Sequence, residues 1–132
     1  MTRRRGFLIL AGALASMAAC GGAVAQQRPP ARPFSPVGRW RFFHTDGTPF
    51  LARIMPDGSA TTDWDGGERG IWRWEGQAVR LLYTDGWDDL LFLDPAGRGF
   101  VKRGWAPEAD RCGAPSNQTR AERLSEDPGP PL

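Results

Sequence analysis

Between residues 38 and 105 apolar and polar positions alternate with a period of two, in short runs broken by Asp, Gly and Pro. That period belongs to strands with one face on a core. Trp40, Phe42 and His44 share a side of the first run, opposite Arg39, Arg41 and Phe43. Phe50, Ala52 and Ile54 share a side of the second, and Trp72 and Trp74 of the fourth, opposite Arg73. Val79, Leu81 and Tyr83 do so on the fifth, opposite Arg80 and Thr84. The sixth run is two-sided, Trp87, Asp89, Leu91 and Leu93 against Asp88, Leu90 and Phe92. Such a strand needs cover on both faces or exposes a binding surface.

The pattern predicts strands over 39–45, 49–55, 59–64, 71–75, 78–84, 87–93 and 100–105. Asp46-Gly47 and Asp85-Gly86 suit type I′ hairpin turns, in which both central residues take positive φ. Pro56-Asp57-Gly58, Glu75-Gly76-Gln77 and Asp94-Pro95-Ala96-Gly97 mark further turns. Short connections imply sequential antiparallel pairing. The expected fold is all-β: a single small antiparallel meander of about seven strands, forming a curled sheet or small barrel. Gly38-Arg39-Trp40-Arg41 is echoed by Gly70-Ile71-Trp72-Arg73, which fits two related hairpin units and is too few copies for a propeller.

The flanks differ in kind. Residues 1–25 read as a signal peptide, with a basic start at Arg3, Arg4 and Arg5, an apolar run from Phe7 to Ala19, and Ala23-Val24-Ala25 as the cleavage site. Arg4-Arg5-Gly6-Phe7-Leu8 resembles a twin-arginine signal core, the alternative being an ordinary secretory start. Met17-Ala18-Ala19-Cys20-Gly21 resembles a bacterial lipobox, which would make Cys20 the lipidated first residue. Residues 26–37 form a disordered Pro-rich linker, and 106–132 a disordered Pro-rich tail in which Asn117 to Leu124 could coil briefly. The expected location is therefore outside the cytoplasm, periplasmic or secreted, or lipid-anchored to the cell envelope.

Removing the leader changes the charge. The chain has 17 Lys+Arg and 15 Asp+Glu, formally +2. Without Arg3, Arg4 and Arg5, 14 bases remain against 15 acids, a formal −1. A near-neutral surface argues against nucleic acid as a partner, and leaves a lipid anchor as the expected route to a membrane. Loss or lipidation of Cys20 leaves Cys112 as the one thiol, so no disulfide is expected.

Catalytic chemistry is sparse. His44 is the single histidine, which removes histidine-rich metal sites. No G-x-S-x-G elbow is present. Asp63-Trp64-Asp65-Gly66-Gly67-Glu68 resembles a fragment of a calcium loop without the remaining ligands, and reads as a solvated loop. Asp88 and Asp89 are adjacent and point to opposite faces, so one is expected inward, paired with Arg80 or Arg103. No metal, cofactor or catalytic residue is expected. The six tryptophans divide by position: Trp40 and Trp72 sit mid-strand on inward faces, whereas Trp64, Trp87 and Trp105 lie at strand ends or turns. The latter three, with Tyr83, are the candidate ligand-binding residues.

Gly38-Arg39-Trp40 resembles the G-x-W signature of calycin barrels, the lipocalin and avidin superfamily. The resemblance implies a ligand-binding or inhibitory barrel, with a basic residue late in the chain packed across the Trp; Arg103 is the candidate. The expected function is that of a monomeric, exported envelope protein without enzymatic activity, binding a small molecule, a glycan or another envelope protein. A structural accessory acting through its tails is the first alternative. A small hydrolase using Asp88 or Asp89 with His44 is the second.

Overall fold

A computed structural model of the chain describes residues 32–130 and Leu132. The leader, Cys20 and the first part of the linker lie outside the described residues. Eight antiparallel strands close into one barrel in sequential order: β1 (Gly38–Phe43), β2 (Pro49–Ile54), β3 (Ser59–Thr62), β4 (Glu68–Glu75), β5 (Ala78–Tyr83), β6 (Asp88–Leu93), β7 (Phe100–Trp105) and β8 (Asn117–Ser125). The meander is thus a closed barrel rather than an open sheet, which leaves no free strand edge.

The closing strand lies in the segment expected to be a tail. β8 pairs with β7 from Phe100↔Ala121 to Gly104↔Asn117, and with β1 through Trp40↔Arg123 and Arg41↔Glu122. Its inward residues, Asn117, Thr119, Ala121 and Arg123, are polar or small, so the period-two apolar signal is missing. The preceding residues 106–116 are also held: Arg111 bonds Asp88 at 3.1 Å and Glu75 at 3.3 Å, and lies 4.2 Å over the Trp105 ring. Cys112 is disulfide-bonded, contrary to the expectation of a lone thiol, which rests on discarding Cys20 with the leader.

Aspartate and glycine set the hairpins by a different geometry from that expected. Gly47, Gly58 and Gly86 have positive φ, whereas Asp46, Asp57 and Asp85 do not. Each glycine N–H donates three residues back, to His44 (2.9 Å), Met55 (3.3 Å) and Tyr83 (3.0 Å) respectively. Each Asp carboxylate accepts the N–H two residues on, from Thr48, Ser59 and Trp87. These are type I turns followed by a left-handed glycine bulge, which need only one positive φ.

The inward faces of β1, β2, β4 and β5 are those the alternation predicts. Trp40, Phe42, Ala52, Ile54, Ala60, Val79, Leu81, Leu91 and Ala121 form the buried core, joined by Tyr83. The two-sided β6 turns Asp89 and Leu91 inward; outside, Leu90 and Phe92 are half-buried, with the Arg103 guanidinium 5.0 Å over Phe92. Arg103 therefore does not cross Trp40.

That place belongs to Arg123, whose guanidinium lies 4.8 Å over the Trp40 ring and donates to the backbone carbonyls of Ser35 and Val37. Phe34 packs edge-on against Trp40, Trp74 and Phe100, with centroids 6.5, 5.5 and 5.1 Å away, and seals this end. The two Gly-Xaa-Trp copies share a cause. A Cβ on Gly38 would stand 2.3 Å from the Ser125 carbonyl oxygen, and one on Gly70 2.5 Å from that of Leu82. Both glycines let a neighbouring strand cross closely where the barrel coils.

Candidate functional site

The connections β1–β2, β3–β4, β5–β6 and β7–β8 gather at the opposite end, and there the interior changes character. Six strands bring an inward residue to this mouth: Phe50 from β2, Glu68 from β4, Tyr83 from β5, Asp89 from β6, Lys102 from β7 and Asn117 from β8. With His44, Trp64 and Trp87 from the connections they line a hollow of about 310 Å³, open on one side to solvent. Only about 20 Å³ of it admits the centre of a water-sized group, room for one or two waters.

Its walls are aromatic. The His44 and Trp64 rings stack with centroids 4.2 Å apart and planes at 10°, while Trp87 meets His44 edge-on at 5.9 Å. Phe50 leans on Trp64 at 5.3 Å. Trp64 sits in a 3-10 turn (Trp64–Gly66) between β3 and β4, where Asp65 has φ 51° and Gly66 and Gly67 also take positive φ. The acidic loop is thus a sharp turn that carries an aromatic ring over the mouth. Its carboxylates do not converge: Asp63 accepts the Leu51 N–H, and Glu68 points into the barrel. Among the described residues no group of three or more His, Cys, Asp or Glu is placed to hold a metal.

The floor is polar and buried. Lys102 Nζ donates to Asp89 Oδ2 at 3.3 Å, with side-chain exposures of 3% and 5%. The ammonium also lies 5.5 Å over Phe42 and 5.9 Å over Phe50. Burial pushes the Asp89 carboxyl up, and the Lys102 charge opposes that rise. The partner of the inward aspartate is Lys102, not Arg80 or Arg103. Asp88 faces out, bonded to Arg80 at 3.0 Å and to Arg111, so it cannot act with His44.

Glu68 is the second inward acid, half-buried at the mouth. Burial, a hydrogen bond with the Asp85 carboxyl and the Asp85 charge push it up to about 8, against a hydrogen bond from Thr62 Oγ1. At neutral pH it holds its proton.

Two polar atoms at the mouth have no hydrogen-bond partner among the described residues: the Tyr83 hydroxyl and Asn117 Oδ1. Asn117 spends its amide N–H on Thr45 Oγ1 at 3.0 Å, which directs Oδ1 away from that bond. Burial raises the Tyr83 phenol well above its ordinary value, keeping it a donor. Gly104 leaves open the space between Asn117 and Asp89. A Cβ there would stand 2.8 Å from Asp89 Oδ1, 2.9 Å from Asn117 Oδ1 and 3.4 Å from the Trp87 ring.

No family model matches this chain, and comparison with curated proteins and with solved structures gives no significant match. The site therefore stands on its geometry. Of the four residues expected to bind ligand, Trp64, Trp87 and Tyr83 meet at the mouth. Trp105 does not: it points outward from β7, 5% exposed, and its indole N–H donates to the Gly113 carbonyl at 3.1 Å. Lys102, Glu68 and Asn117 are added by the structure. The signal for Lys102 was present, since it is the one lysine of the chain and shares the inward phase of Phe100.

Proposed function

We propose that this protein is an exported, non-enzymatic barrel that binds a small molecule in its mouth pocket. The observation that carries the reading is a pair of buried polar atoms without a partner among the described residues, Tyr83 Oη and Asn117 Oδ1, in a hollow walled by Trp64, Trp87 and Phe50. A buried polar atom without a partner costs about 1–3 kcal/mol. A ligand that supplies both partners recovers that cost on binding.

The resemblance to calycin barrels gains support from the closed meander, from the sealed end built on Trp40, and from the late basic residue across that Trp, Arg123 in place of Arg103. Export rests on the Arg-rich start, the apolar run and Ala23-Val24-Ala25. Binding is favoured over hydrolysis because the inward carboxylate is tied to Lys102 and the outward one to two arginines.

The test is tryptophan emission titrated with uncharged aromatic amides, oligosaccharides and fatty acids. A saturable change is expected with one class, weakened about tenfold or more in Gly104→Ala, whose methyl intrudes on Asp89 and Asn117. A flat response across all three classes contradicts the reading.

A further inference from the structure

The mouth pocket also constrains the charge and shape of its ligand. Its buried ionic groups oppose each other: the Lys102 ammonium faces the Asp89 carboxyl at 3.3 Å, one cation against one acid. Glu68 adds no charge at neutral pH. An anionic ligand would therefore be desolvated without an unspent cation to meet it. A cationic ligand is the more tempting guess, because aromatic rings and carboxylates suit an ammonium. That role is already filled, since the Lys102 ammonium occupies the faces of Phe42 and Phe50 and the Asp89 oxygen. A second cation would meet it head-on.

What remains unsatisfied is neutral and two-sided. Asn117 Oδ1 and Asp89 Oδ1 converge on the space above Gly104, and Asn117 Oδ1, without a partner among the described residues, calls for an N–H. The Tyr83 hydroxyl, without a partner among the described residues, supplies an O–H and calls for a carbonyl oxygen. The enclosed part is small, about 20 Å³ to the centres of water-sized groups, so it takes a head of a few atoms. The flat indoles of Trp64 and Trp87 stand at the opening.

Resting on the proposed binding reading, we infer that the ligand is an uncharged planar molecule with an N–H donor beside a carbonyl acceptor, the edge of a primary carboxamide. An amide N–H meets Asn117 Oδ1 beside Asp89, the carbonyl accepts from Tyr83, and the flat body lies at the opening against the aromatic wall of Trp64, His44 and Trp87.

Four probes of one size separate the possibilities: benzamide, benzoate, benzylammonium and toluene, each titrated calorimetrically into the full chain at neutral pH. Benzamide is expected to bind at least about tenfold more tightly than either ion and than toluene. Tyr83→Phe should weaken benzamide by about tenfold and leave toluene unchanged. Equal or tighter binding of benzoate, benzylammonium or toluene overturns the carboxamide assignment and leaves a pocket of another specificity. Benzamide binding that Tyr83→Phe leaves untouched overturns it as well. Silence from all four also overturns it, while a response to an oligosaccharide or fatty acid in the broader titration would keep the binding reading. The ranking on the unmodified chain stands even if Tyr83→Phe does not fold.

Discussion

Lys102 is the single lysine among 17 basic residues, and it lies inside the barrel with 3% of its side chain exposed. An ammonium concentrates its charge at one point on a slender stem, which suits the narrow interior at the mouth better than a broad guanidinium. Its phase between Val101 and Arg103 was readable from alternation, but its partner was not. Asp89 could be assigned to the inside from sequence only as one of an adjacent pair, and pairing depends on which strands become neighbours.

Glu68 was hidden for another reason. Its acidic surroundings read as a solvated loop, and the turn at Asp65 that directs it inward requires a positive φ in a residue other than glycine. Its consequence for stability has a definite sign. The folded value, about 8, lies above the ordinary 4.5, so the folded state holds a proton that the unfolded state releases. Stability should be greatest below pH 4.5, as far as this residue is concerned, and decline as pH rises through about 8. Urea denaturation across that window should show the decline in the native chain and a flatter profile in Glu68→Gln. Parallel profiles would remove Glu68 as its source.

At the scale of elements, β1, β2, β4, β5 and β6 were legible because they carry apolar residues at alternate positions, and β3 and β7 because they follow the turn signals at 56–58 and 94–97. β8 was not, since Asn117, Thr119, Ala121 and Arg123 face a polar pocket and an aromatic ring rather than an apolar core. Sequence reasoning of this kind detects burial against hydrocarbon, and it passes over strands that bury polar groups. β8 nonetheless supplies both closing ladders.

Truncation after Ser116 should therefore abolish cooperative thermal unfolding, read as loss of the sigmoidal circular-dichroism transition. A dispensable tail would leave that transition in place. The same truncation removes Asn117 from the pocket and Arg123 from Trp40, so fold and site share one element. The hairpins carry a similar lesson. Asp-Gly located them correctly, while the turn type followed from local energetics, since one left-handed glycine and an Asp side-chain bond spare the aspartate a positive φ.

Across the whole molecule the barrel is polarised. One end is closed by Phe34, Trp40, Trp74, Phe100 and Arg123, and the other opens over Lys102, Asp89, Glu68, Tyr83 and Asn117. The six tryptophans report on both ends at once. Trp64 and Trp87 stand at the mouth, Trp40, Trp72 and Trp74 pack against the core, and Trp105 lies outside beneath Arg111.

The sequence separated most of these roles by asking which rings lie mid-strand and which lie at turns. It misplaced Trp105, because a strand end can turn its ring outward under a folded-back connection as readily as toward an opening. The most direct measurement is the set of indole N–H signals in a two-dimensional NMR spectrum during titration with benzamide. The account predicts that the Trp64 and Trp87 signals move together along one saturable curve while those of Trp40, Trp72 and Trp74 stay fixed. Movement confined to the closed-end tryptophans, or no movement at Trp64 and Trp87, would contradict it.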